Sequence, residues 1–142
     1  MLSDLFQAKH TGASAIVLTA VLLSIEQCKY LTSLAHQLGM EVALKLYTIE
    51  EIDYLECDVD LIIINNRIAC SFDMDVNKSF EFAKLLPNDC IKVSEGGIYT
   101  PEKAKELSDV GFQGIIIGDL FMKTANPGYA LGEFIKGIKK EN

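Results

Sequence analysis

Three short stretches gather the residue types that could take hold of an anionic small molecule: Asn65-Asn66-Arg67, Glu95-Gly96-Gly97 and Gly118-Asp119. The guanidinium of Arg67 suits bidentate capture of a carboxylate or phosphate. Consecutive glycines remove the Cβ atoms that would hold an anion away from the main chain, and a helix opening just beyond them offers N–H groups with no intrahelical acceptor. Gly96 and Gly97, with Gly118 and Asp119, are therefore candidate phosphate-binding backbone. Glu95 repels phosphate, so its carboxylate fits better with orienting a substrate hydroxyl or a lysine. Lys45 is a fourth candidate, on the same strand face as Tyr47 by the period of two. Blander readings stand beside these: Asn-Asn is a common turn pair, Arg67 serves equally well in a surface ion pair, and Glu95 as an exposed loop acid.

Such groups need elements to position them. Five short apolar runs recur, ASAIVLTA (13–20), EVALKLY (41–47), DLIIINN (60–66), CIKVSE (90–95) and GIIIGD (114–119), and the candidates lie at the exits of the last four. Several lack polar alternation, as expected of parallel strands buried on both faces. Ser24 with Gln27 and Thr48 with Glu51 have capping-box spacing, and Thr100-Pro101 and Asn126-Pro127 read as N-caps with proline in the first turn. Gly12, Gly39 and Gly111 fall where helices should stop. The pattern predicts one helix and then five strand–helix units in an α/β fold with a parallel sheet and right-handed crossovers. Five units at this spacing make about five-eighths of a (βα)₈ barrel, or an open doubly wound sheet. Length alone favours the open sheet. Paired glycine exits on the last two strands favour the barrel, where phosphate sites lie on the final loops.

Composition narrows the partners. With 142 residues and 49% hydrophobic content, one domain with a real core is expected. A net charge of −7 disfavours nucleic acid and anionic membranes. No apolar run approaches the length of a membrane span and the start lacks a signal-peptide pattern, so a cytoplasmic location is expected. Cys28, Cys57, Cys70 and Cys90 have no metal or redox spacing and read as buried free thiols, and no metal site is expected.

The stretches LGMEVALKLYTIEEID, DLIIINNR, LLPNDCIKVSEGGIYTPEKAKEL, GFQGIIIGDLFMK and NPGYAL together resemble the C-terminal part of indole-3-glycerol-phosphate synthase of tryptophan biosynthesis. INNR and SEGGI, in this order and at this separation, carry most of the discrimination. The resemblance implies a partial TIM barrel over residues 1–142, a single domain made of the family's βα units four to eight. It implies a carboxy-lyase without metal or organic cofactor, which closes a ring on 1-(2-carboxyphenylamino)-1-deoxyribulose 5-phosphate with decarboxylation and dehydration. By resemblance Asn65 and Arg67 hold the aromatic and carboxylate end, Glu95 lies near the ribulose hydroxyls, and Gly96, Gly97, Gly118 and Asp119 take the phosphate. Asn65, Glu95 and Lys45 are the candidate catalytic groups.

Two departures qualify that picture. The family's general-acid lysine and a further lysine and glutamate belong to strands that precede this stretch. The family's fifth strand ends in glutamate, and Lys45 stands there. Exchange of an acid for a base reverses the proton chemistry, so the general-base role does not carry over. Three functions follow: a phosphate and carboxylate half-site completed by another polypeptide, a non-catalytic module for a phosphorylated metabolite, or a degenerate remnant. A five-stranded fragment has raw sheet edges, so a homodimer, a partner chain supplying further strands, or an opened, flatter sheet is expected.

Overall fold

The computed structural model describes residues 1–140 and holds five strands, β1 (Ala15–Thr19), β2 (Glu41–Leu46), β3 (Leu61–Asn65), β4 (Lys92–Glu95) and β5 (Gly114–Ile116). Six α-helices accompany them: α1 (Leu2–His10), α2 (Ile25–Gln37), α3 (Asn77–Ala83), α4 (Pro101–Asp109), α5 (Asp119–Met122) and α6 (Pro127–Lys139). The strands lie in one sheet in the order β1-β2-β3-β4-β5. A doubly wound sheet of the five-stranded flavodoxin type reverses its order at a switch point, and this sheet does not. Sequential order is what a stretch of (βα)₈ barrel requires. The chain divides into two compact units, Met1–Ile63 with Asp89–Ile91, and Ile64–Asn88 with the residues from Lys92 onward.

The first unit is built on β1 and β2, parallel, with Ala15 opposite Glu41 and Thr19 opposite Lys45. Val42, Leu44 and Leu46 are fully buried and Ala43 nearly so, which explains the unbroken apolar run of β2. By contrast β1 is an edge strand, and of its residues only Leu18 is buried. The Ser24–Gln27 box closes with both expected bonds, at 3.1 and 2.9 Å. The segment after β2, expected to be a helix, is a 3₁₀ run over Ile49–Cys57. Glu51 still caps it, accepting from the N–H groups of Tyr47 and Thr48. The Tyr54 hydroxyl bonds the Leu23 carbonyl and the Cys57 thiol approaches that of Ile25, so tertiary anchors replace α-helical continuity. Cys28 and Cys57 are buried, and burial followed by the Cys28 thiol pushes Cys57 up to about 12. Cys70 is exposed and Cys90 half-buried, which corrects the expectation of four buried thiols.

Asp60 joins this unit's elements. Its carboxylate accepts from the Val42 N–H at 2.7 Å and lies 2.8 Å from His36 Nε2. Burial raises this carboxyl, but the bonds from His36 and Val42 outweigh it and hold the pKa below its ordinary 3.8. A depressed carboxyl stabilises the fold above its unfolded pKa, and the contribution is lost as pH falls through the folded value. Asp60→Ala should therefore cost about 1 kcal/mol at neutral pH, the partial exposure of both groups keeping it small. Urea denaturation should show that difference shrinking below about pH 4. Equal stability at pH 7 would remove the role.

In the second unit β4 and β5 are parallel, Val93 opposite Gly114 and Glu95 opposite Ile116. Thr100 and Asn126 cap α4 and α6 through the N–H groups of Lys103 and Tyr129, each with proline in the first turn as the sequence implies. Phe82, Ile98, Leu107, Phe112 and Phe134 form the core, with Phe121 edge-on to Phe134 at 5.5 Å. The strand β5 is shorter than expected and stops at Ile116, leaving Gly118 to open α5.

Candidate functional site

The second unit brings most of the candidate residues together at its strand exits. At the end of β3, Asn65 is buried and both ends of its carboxamide are used. Its Nδ2 donates to Glu95 Oε2 at 3.1 Å, and its Oδ1 accepts from the Arg67 N–H at 2.9 Å. An amide so held has a fixed orientation, and through it the polar ends of β3 and β4 become one cluster. The Asn66 N–H donates to the Glu95 carbonyl at 2.9 Å, extending the ladder one residue past β3.

The chain between β3 and α3 forms a small hairpin that sequence reasoning does not foresee. Arg67 bridges Met74 in antiparallel fashion, the Ile68 N–H reaches the Asp73 carbonyl, and Cys70 turns the chain at φ +58°. Ser71 bonds Asp73 twice, closing the turn. The exposed Arg67 guanidinium sits 5.7 Å from the ring centroid of Phe72, itself 91% exposed. The Lys78 ammonium donates to the Arg67 carbonyl at 2.6 Å. Arg67 is thus anchored through its backbone while its charge stays accessible, an arrangement suited to an incoming carboxylate.

Gly96 and Gly97 have φ of +96° and +73°, values that side-chain-bearing residues rarely adopt. The space their missing Cβ atoms leave is filled by protein. A Cβ on Gly96 would stand 2.8 Å from Met74 Sδ, and one on Gly97 3.2 Å from Met74 Cβ. The glycines therefore serve the packing of the hairpin, a use the sequence does not reveal. The Gly96 N–H donates to the Ile116 carbonyl at 3.3 Å. The Gly97 N–H makes no backbone bond among the described residues, and neither do those of Gly118, Asp119 and Leu120 at the start of α5. Gly118 has an ordinary negative φ, and a Cβ there would meet open space. Its contribution is openness around those N–H groups.

Lys45 belongs to the first unit, near the end of β2 and opposite Thr19. Among the described residues no cluster of three or more His, Cys, Asp and Glu could hold a metal ion, and no helix is long and apolar enough to cross a membrane. Met74, Phe72, Ser79 and Ser94 are the site-forming residues that sequence reasoning passed over, and Asn66 was noted without a role of its own. For Asn66 a signal existed, since alternation along an extended chain turns it away from the face shared by Asn65 and Arg67.

The sequence profile of indole-3-glycerol phosphate synthase matches residues 3–134. The synthase of Bacteroides thetaiotaomicron is 46% identical over 136 residues, covering 96% of this chain and 52% of that protein. That of Chloroherpeton thalassium is 36% identical over 118 residues, covering 82% and 45%. The chain thus spans about half the length of the curated relatives it matches. Among solved structures, KGPDC from Streptococcus mutans superposes with a TM-score of 0.74 at 16% identity over 97% of this chain and 66% of that one. The N-acetylmannosamine-6-phosphate 2-epimerase from Clostridium perfringens gives 0.66 at 18% identity, over 97% and 62%. At such identities these likenesses carry the fold alone, an α/β parallel sheet of partial-barrel type.

Proposed function

The chain belongs to the indole-3-glycerol phosphate synthase family, and from that premise we propose that it supplies the phosphate- and carboxylate-binding half of a synthase site of tryptophan biosynthesis. The reaction is closure of the indole ring on 1-(2-carboxyphenylamino)-1-deoxyribulose 5-phosphate with loss of carbon dioxide and water. The observation that carries this reading is the linked trio Asn65, Arg67 and Glu95, beside backbone N–H groups at Gly97 and the start of α5. The Arg67 guanidinium pairs with the substrate carboxylate. Asn65 joins it in holding the aromatic and carboxylate end, and Glu95 orients the ribulose hydroxyls between the two charged ends. Gly97, Gly118 and Asp119 offer main-chain donors to the phosphate, with Gly96 directly preceding the Gly97 donor. Residues 1–142 act as a single partial-barrel domain in the cytoplasm, and the proton-transferring groups come from the remainder of the family's length.

Assembly follows from the edge of the sheet. Val17, Val21 and Leu22 are 54%, 66% and 74% exposed, beside a groove of about 570 Å³ between α1 and β1 lined by Leu5, Ile16, Leu18 and Leu31. An edge strand with apolar neighbours invites another strand, from a second copy or from a partner chain carrying further βα units. Lys45, where the family has glutamate, favours a second reading: a non-catalytic module that binds a phosphorylated metabolite.

Calorimetric titration with reduced carboxyphenylamino-deoxyribulose phosphate tests the half-site. Binding should weaken about 10- to 100-fold in Arg67→Ala, the worth of a charge-assisted bond. A folded chain that fails to bind the analogue overturns the proposal. Binding without turnover, even when the remaining family segment is added, selects the second reading.

A further inference from the structure

Asn66 sits within the site yet touches no solvent, and neither do Ser79 of α3 and Ser94 of β4. Its Nδ2 donates to Ser94 Oγ at 3.0 Å and to the Gly96 carbonyl at 2.8 Å, and its Oδ1 accepts from Ser79 Oγ at 2.8 Å. The two serine hydroxyls lie 2.6 Å apart. These contacts fix every proton. The Ser79 proton goes to Asn66, so the proton between the serines must come from Ser94, whose oxygen in turn accepts from Asn66. The result is a closed ring, Asn66 to Ser94 to Ser79 and back, in which each bond polarises the next. One amide hydrogen remains outside the ring, and it is spent on Gly96.

That last bond has a directional consequence. A trans peptide is planar, and its carbonyl points opposite to the N–H that follows. Because the Gly96 carbonyl is drawn inward to Asn66, the Gly97 N–H is turned away from the ring. Two consecutive glycines have more conformational freedom than any other pair, so a donor mounted on them keeps its aim only if something grips the peptide. On this basis, and resting on the phosphate reading above, we propose that Asn66 is a positioning residue. The Asn66–Ser94–Ser79 ring locks the Gly96–Gly97 peptide so that the Gly97 N–H is presented to the substrate's anionic end. Asn66→Asp keeps the size and the bond from Ser79 but sets a carboxylate oxygen against the Gly96 carbonyl, which drives that peptide to rotate.

The test is NMR on the whole chain, measuring the residual dipolar coupling of the Gly97 N–H together with titrations of inorganic phosphate and of 2-aminobenzoate. In Asn66→Asp the Gly97 coupling should change. Phosphate should bind about tenfold more weakly, while 2-aminobenzoate, recognised through Arg67, should lose less than about threefold. A merely structural role would weaken both ligands alike and leave the coupling where it was. An unchanged Gly97 coupling in a folded variant overturns the proposal whatever the titrations show. If the unaltered chain takes no phosphate, the phosphate reading falls, and the coupling still decides whether Asn66 sets the peptide. Should Asn66→Asp fail to fold, Ser79→Ala opens the ring at one link and carries the test. The expected result there is the same change in coupling with about threefold weaker phosphate binding, and an unchanged coupling overturns the proposal.

Discussion

Replacing Gly97 by aspartate should weaken binding of the phosphorylated analogue by more than about a hundredfold. Two effects coincide at this position. The φ of +73° strains any side chain, and a Cβ would press on Met74 Cβ at 3.2 Å. The new carboxylate would also stand beside the phosphate in a site whose donors are main-chain amides. Gly97→Ala separates the two. Alanine tolerates the left-handed region less well than aspartate, at a cost of about 1–2 kcal/mol. If backbone strain alone governs affinity, alanine should be at least as harmful. If the anion sits at Gly97, aspartate should be far worse for binding while costing no more stability. Calorimetry paired with urea denaturation reads both quantities. Unimpaired binding in Gly97→Asp would move the phosphate elsewhere.

The second large effect is expected at the sheet edge. Val17→Lys should weaken assembly, with a second copy or with a complementary segment, by about a hundredfold, through lost apolar burial and the cost of desolvating an ammonium. The isolated chain should hardly notice, since Val17 is more than half exposed there and lysine is a common guard on open strands. Sedimentation velocity over a concentration series measures the first part and urea denaturation the second. If the unaltered chain stays monomeric with or without the complementary segment, β1 is not an assembly surface.

The parts that sequence made legible are those governed by local rules. Ser24 with Gln27, Thr100 before Pro101 and Asn126 before Pro127 announce helix starts, because an N-cap needs only its own next three residues. Gly12, Gly39 and Gly111 end helices at positive φ for an equally local reason. The sequential strand order was not decided by those rules, since five apolar runs fit an open sheet as well. At the site, INNR and SEGGI identify the residues, but the contacts among them depend on tertiary placement. That Met74 fills the space beside the glycines, and that Ser79 and Ser94 meet over Asn66, becomes visible only when α3 is laid against the strands. The 3₁₀ run over Ile49–Cys57 escaped for a related reason, its anchors lying at Leu23 and Ile25.

The strand order also bears on how quickly the chain can find its fold. Ala15 faces Glu41, and Val93 faces Gly114, so each strand waits for a partner only one crossover away. Loop-closure entropy grows with the logarithm of the span, and here no pairing has to bridge the full length. Each βα unit can add to its predecessor as it emerges from the ribosome, with local closures setting the pace. A sheet whose order doubled back would have to hold an unpaired strand open until a distant one arrived. The sequential sheet instead pairs each new strand with the one just made and leaves the outer edge of β1 open throughout, the same edge at which further βα units would join.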